Sequence, residues 1–334
     1  MAKELSILIP SRNEVFLKNT IEDALKNIEA DTEIIAVLDG QWADPPIPQH
    51  ERVNVVYVPE PIGQRATTNM GARLAKGKYV MKIDAHCSFD KGFDRKMIEG
   101  FQKVGDDVTM VPIMRNLWAF DWKCMECGKK WYQGPTPTSC KETKRKGTGK
   151  PCESKKFARK MMWVGKNNPQ SVSYCFDSEP HFQYFGEWKK TDIYKEQLKT
   201  GFTETMSLQG SCFMTTLKNY WDWELCDDSL GNWGNQGLEV ACATWLTGHR
   251  VLVNHNTWYA HMFRTQGGDF GFPWHGIKGQ STEQTKLNVK NKFWNFKHPK
   301  QVHPVSWLVK KFWPVKGWTE EQLTNLKCNT TILK

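Results

Sequence analysis

Short apolar runs alternate with amphipathic stretches along the first third of the chain. Residues 5–10 form an apolar run that reads as a strand, and segment 15–28 places Leu17, Ile21, Leu25 and Ile28 at helical spacing. The same reading predicts strands at 33–38, 53–58, 79–83 and 108–112, with helices at 65–75 and 93–104 between them. Strands alternating with helices imply a largely parallel sheet covered on both faces, an α/β architecture. Such sheets bind ligands beyond the carboxyl ends of their strands. Polar clusters stand at those ends: Ser11-Arg12-Asn13-Glu14, Asp39-Gly40 and Asp84-Ala85-His86.

The pattern breaks over 116–165, which is rich in Lys, Gly, Pro and Cys and reads as an insertion. It resumes with a strand signal at 207–215, a helix at 238–247 and a strand at 250–254. From 265 onward the chain is rich in Gly, Lys and aromatics.

Composition narrows the class. The 334 residues are 39% hydrophobic and 25% charged, as in an ordinary soluble globular protein. No run approaches the roughly 18 apolar residues of a membrane span. The N-terminus passes directly into an apolar strand without a signal peptide, so a cytoplasmic location is expected. The net charge is +10, yet residues 123–160 alone are net +9 and 265–334 net +7, leaving the rest at −6. An acidic body with two basic segments points to a polyanionic partner; the alternative is two solvated surface segments.

Asp84-Ala85-His86 follows a strand signal, and two side chains one residue apart lie on the same side of an extended chain. A carboxylate with an imidazole suits a divalent transition metal. An Asp and a His that merely cap a strand end would give the same three residues.

Context distinguishes the two. Ser6-Ile7-Leu8-Ile9-Pro10-Ser11-Arg12-Asn13-Glu14 resembles the opening strand and loop of family-2 glycosyltransferases. Ile35 to Gly40, with Asp44 following, resembles their second strand, and Gly63 to Ala85 their Gly-containing helix and the strand entering the metal motif. A second block, Trp233-Gly234-Asn235-Gln236-Gly237-Leu238-Glu239 through Trp245 and Gly248 to His261-Met262-Phe263-Arg264, resembles the polypeptide N-acetylgalactosaminyltransferases. The likeness covers about residues 5–115 and 205–265.

The resemblance implies a GT-A fold: Rossmann-like, with a mostly parallel central sheet and flanking helices. It divides the chain into a nucleotide-sugar-binding half (1–115), a basic insertion (116–165), an acceptor and catalytic half (166–264) and a basic, aromatic-rich extension (265–334). It implies a nucleotide-sugar donor, UDP-linked by this likeness, and a metal, Mn2+ or Mg2+, held by Asp84, His86 and His261. It places Pro10, Asn13 and Asp39 at the nucleoside, Arg65 facing uridine or phosphate, and Gln209-Gly210-Ser211 beneath the donor sugar, next to Asp84. One departure stands out: Gln236 occupies a position where the family has Glu, and an amide is no general base. An inverting enzyme would then draw its base from Glu239, Asp227 or Asp228. A retaining enzyme of this type needs none, since the leaving phosphate can take the proton. The missing carboxylate favours retention.

Four cysteines cluster within the insertion. Cys124, Cys127, Cys140 and Cys152 follow the spacing C-x2-C-x12-C-x11-C. Four thiolates in a Lys-rich, core-poor segment suit a structural tetrahedral Zn2+, an irregular zinc ribbon. Unpaired thiols in a loop are the alternative. A zinc ribbon of charge +9 fits nucleic-acid phosphates. Lys interleaved with Phe and Trp in the extension either stacks on bases or covers the core. The expected acceptor is a hydroxylated base in DNA; protein Ser/Thr or a glycan is the runner-up, and an inactive binding module the third reading.

Overall fold

The computed structural model describes residues 3–141, 151–263 and 271–332. The chain begins β1 (Lys3–Ser11), α1 (Leu17–Asn27), β2 (Thr32–Asp39), β3 (Val53–Val58), α2 (Gln64–Leu74), β4 (Gly77–Ile83), β5 (Cys87–Phe89), α3 (Phe93–Val104) and β6 (Val108–Cys124). β1 lies between β2 and β4 and pairs parallel with both, and β3 extends the sheet beyond β2. Alternation along β1 divides the core. Leu5, Ile7 and Ile9 pack with Leu17 and Ile21 of α1 and Phe93 and Met97 of α3. Leu8 faces the other side, with Ala72 of α2. A sheet buried on both faces explains why these strands read as nearly unbroken apolar runs.

β6 is longer than the sequence pattern predicts. It runs through residue 116, where that pattern starts the insertion, and continues to Cys124. It pairs antiparallel with β7 (Lys130–Tyr132) and β8 (Phe157–Ser171). Leu117, Ala119, Phe120 and Trp122 are buried there against Phe16, Ala260 and Met262. The Cys-rich segment is therefore the tip of a long arm growing out of the main sheet. The Lys and Gly composition of the neighbouring residues masks these apolar positions in the sequence.

The chain continues through β9 (Tyr174–Phe176), β10 (Phe182–Tyr184), α4 (Asp192–Lys199), β11 (Phe202–Glu204), β12 (Cys212–Thr216), α5 (Leu217–Asp222), α6 (Gln236–Leu246) and β13 (Arg250–His261). β12 enters antiparallel between β4 and β6, and β13 runs parallel to β6. The main order is β11-β13-β6-β12-β4-β1-β2-β3. Last come α7 (Thr282–Trp294), α8 (Val305–Lys311) and α9 (Glu320–Ile332). Val289, Phe293, Leu308, Phe312 and Trp318 join the core that contains Val240 and Trp245 of α6. The aromatics of the extension thus cover the core, the second of its two sequence readings. Among the described residues no helix is long and apolar enough to cross a membrane.

Candidate functional site

Three chain segments meet at the carboxyl end of β4. Asp84, just past the strand, is fixed by its backbone N–H, which donates to the Ser211 carbonyl at 2.8 Å. His261 ends β13, opposite Cys87 of β5, and the Met262 N–H donates to the His86 carbonyl at 3.2 Å. The Asp84 Oδ2 atom consequently lies 3.2 Å from His261 Nε2 and 4.0 Å from His86 Nε2. One ligand atom from each of the three residues falls within 4.8 Å of the others.

The protonation states suit cation binding. Burial lowers both imidazoles, His261 to about 4, so each is neutral near pH 7 and offers a lone pair. Burial alone would raise the Asp84 carboxyl, but Lys82 and the two histidines override it and hold it well below the usual carboxylate range. His86 Nδ1 lies 2.8 Å from Glu14 Oε2, while Glu14 Oε1 accepts the Phe16 N–H at 3.0 Å. A carboxylate behind a histidine fixes its ring and tautomer, the usual support of a metal-ligating imidazole. A carboxylate oxygen and two neutral imidazole nitrogens fit a divalent ion such as Mn2+. Glu14 has no assigned role in the sequence reading, although it stands in the polar cluster at the end of β1.

The three donors sit in the wall of a cavity of about 300 Å³. Pro10 and Gln64 line it, together with Gln209-Gly210-Ser211 and Gln236-Gly237 at the start of α6. Trp233, Phe272 and Trp274 also contribute. α6 approaches the 208–211 segment as closely as backbone allows: a Cβ on Gly237 would lie 2.1 Å from the Leu208 carbonyl oxygen. The start of a helix presents N–H groups and partial positive charge, an environment that favours phosphate. Gln236 is 5% exposed; its Nε2 donates to Cys226 Sγ at 3.2 Å, and its Oε1 has no hydrogen-bond partner among the described residues.

Other expected site residues lie outside this cavity. Asn13 is exposed, with φ of 46°. Asp39 is fully buried: Oδ1 accepts the Ile62 N–H at 2.7 Å, and Oδ2 accepts Gly63 N–H at 3.1 Å and Trp274 Nε1–H at 2.8 Å. Arg12 donates to the backbone carbonyls of Asp39 and Pro273, holding the 273–274 segment against β2.

Arg65 departs from expectation. Its guanidinium is buried on Glu239, with Nε 2.7 Å from Oε2, and also donates to the Gly231 and Gly234 carbonyls. It clamps the loop that carries Trp233 and does not face the cavity. The same pairing removes Glu239 from the candidate bases, since its other oxygen accepts the Asp227 N–H at 2.7 Å. Asp227 accepts from Ser229 and from Lys292 Nζ, and Asp228 is exposed; neither lines the cavity.

Residues 6–129 match the family model of glycosyl transferase family 2. The chain has a family-2-like GT-A glycosyltransferase fold. Among solved structures it is similar to GalNAc-T7, solved with UDP, GalNAc and Mn2+, at 14% identity and a TM-score of 0.59. That alignment covers 99% of this chain and 55% of GalNAc-T7, so this chain spans about half the length of that neighbour. S. aureus TarS 1-349 aligns over 87% of this chain and 72% of its own, at 10% identity and a TM-score of 0.44. The same protein in complex with UDP aligns over 78% and 60%, at 11% and 0.42. A comparison with curated proteins finds no match. The GT-A fold accounts for the place of the donors, at the end of β4 beside the switch from parallel to antiparallel pairing.

A second cluster lies at the tip of the arm. Cys124, Cys127, Cys140 and Cys152 bring their Sγ atoms within 4.8 Å of one another, and none of them forms a disulfide. The pairs Cys124–Cys152 and Cys127–Cys140 are 3.8 and 3.4 Å apart. Burial pulls the Cys124 thiol up, but the amides of Cys127 and Glu126 outweigh it and bring the group down to about 6. The Lys144-Arg145-Lys146 run lies outside the described residues.

Proposed function

We propose that the chain is a metal-dependent glycosyltransferase that moves a sugar from a nucleoside-diphosphate sugar, UDP-linked, to an acceptor hydroxyl. One observation carries this reading: Asp84, His86 and His261 converge in the wall of a cavity that also contains the start of α6 and the Gln209-Gly210-Ser211 backbone. Bound by Asp84 Oδ2 and the two imidazole Nε2 atoms, Mn2+ or Mg2+ would neutralise the diphosphate as it departs. The first turn of α6 faces the same phosphates with its N–H groups. The small residues at 210 and 211 let the donor sugar approach the backbone, and Gln236 offers its free carbonyl oxygen to a sugar hydroxyl. Pro10 and the Asp39 region bound the nucleoside end, where a base can be read only if Trp274 shares or yields Asp39.

The carboxylates lining the cavity are those of Glu14 and Asp84, one engaged with His86 and the other with Lys82. Neither is free to deprotonate an acceptor. This supports retention, in which the leaving phosphate takes the acceptor proton.

For the acceptor we favour DNA carrying a hydroxylated base. On the arm, strand register sets Lys123 beside Lys130 and Asp121 between Tyr132 and Lys160, and Lys166 Nζ lies 4.1 Å over the Tyr132 ring. Exposed lysines around an aromatic suit phosphates and unpaired bases. The four-cysteine cluster is read as a structural Zn2+ site that holds the tip of this arm. The test is to incubate a panel of nucleotide sugars with Mn2+, with and without duplex DNA carrying hydroxymethylated bases. Transfer to the DNA, abolished by chelation, is expected. Donor turnover without transfer to DNA would move the acceptor to protein or glycan, and absence of turnover with every donor would favour an inactive binding module.

A further inference from the structure

Lys82 stands two residues before the metal-motif aspartate, and the reaction scheme above gives it no part. Its side chain is fully buried within β4. The ammonium contacts Asp84 Oδ1 and donates to the Gly210 carbonyl at 2.6 Å. Asp84 therefore has two differently committed oxygens. Oδ1 is taken by Lys82, and Oδ2 faces His261 and His86.

We propose that Lys82 makes metal capture depend on the nucleotide, weakening the site for a free divalent ion until a diphosphate arrives; this rests on the metal reading of Asp84, His86 and His261. The argument is one of charge and geometry. With both imidazoles neutral, Asp84 supplies the one negative ligand, and Lys82 cancels it at contact distance. A divalent ion entering alone meets a buried cation and no net ligand charge, in surroundings where charge is poorly screened. A diphosphate adds the missing negative charge. Lys82 also limits Asp84 to one coordinating oxygen, and its bond to Gly210 ties that carboxylate to the backbone expected beneath the donor sugar. An ammonium thus sets the order of assembly: ion and nucleotide together, neither well alone. Thermodynamic reciprocity requires each to strengthen the other by the same factor.

The test is Mn2+ titration followed by the electron paramagnetic resonance signal of the free ion, with and without UDP. Wild type is expected to bind Mn2+ at least about tenfold more tightly when UDP is present, within the usual range of coupling between sites. Lys82→Met should bind Mn2+ at least about tenfold more tightly than wild type without nucleotide, and its dependence on UDP should shrink to a few-fold. Lys82→Gln, which still donates to Asp84 and Gly210 but carries no charge, should shift the same way and separates charge from positioning. Equal binding by wild type with and without UDP would overturn the proposal, and that measurement needs no variant to fold. So would weaker or unchanged Mn2+ binding in both variants, which would make Lys82 a positioning residue for Asp84. If Asp84→Ala binds Mn2+ and UDP like wild type, the metal reading itself fails and Lys82 falls with it.

Discussion

At the residue scale the site is a set of side chains committed to one another. Asp84, His86 and His261 are legible in the sequence because a motif carries them. Glu14 is not, because its role depends on a contact with His86, 72 positions away. Arg65 shows the converse. A polar side chain near a binding motif reads as a ligand contact, yet its partner Glu239 lies 174 positions on and turns the guanidinium into the protein. Glu14→Gln keeps the volume but removes the charge behind the His86 ring. Loss of such support typically lowers metal affinity about 10–100-fold. Mn2+ titration in the presence of UDP should show this fall with unchanged far-ultraviolet circular dichroism; wild-type affinity would deny Glu14 its positioning role.

At the element scale the strand and helix pattern of the first 112 residues is readable because each strand there is apolar on both faces. The sequence pattern truncates β6 because its distal half borders a Lys- and Gly-rich segment, although Leu117, Phe120 and Trp122 continue the buried pattern. α6 is legible as a helix, but its anchoring is not. Arg65 and Glu239, both essentially inaccessible, tie its first turn to α2 and to the loop at Gly231 and Gly234. Glu239→Leu should strand a buried guanidinium and destabilise the fold by about 3–5 kcal/mol, the usual cost of removing one partner of a buried pair. Urea denaturation measures this, and a change under about 1 kcal/mol would mean that the pair is not anchored as described. The cysteine arm makes a separate prediction. Elemental analysis should find about one zinc per chain, lost in Cys127→Ser, on the logic of a tetrahedral site. A zinc-free wild type that still protects residues 120–165 from proteolysis would contradict it.

At the scale of the whole molecule, charge and burial separate two segments that composition alone treats alike. Both the arm and the extension are basic and aromatic. The extension buries Phe293, Leu308 and Phe312 in the main core, so its lysines lie around a structural element. The arm leaves Tyr132, Met161 and Val164 exposed among lysines, so it remains the surface available to a polyanion. Sequence distinguishes these poorly because Lys between aromatics describes both a covered core and a binding face. The account as a whole depends on one ion joining the β4 motif to a diphosphate. Anomalous diffraction at the manganese edge, from crystals grown with Mn2+ and UDP, tests this most directly. The account predicts one peak in contact with Asp84 Oδ2, His86 Nε2 and His261 Nε2 and with phosphate oxygens of UDP. UDP bound with no peak there, or a peak held by other residues, would contradict it.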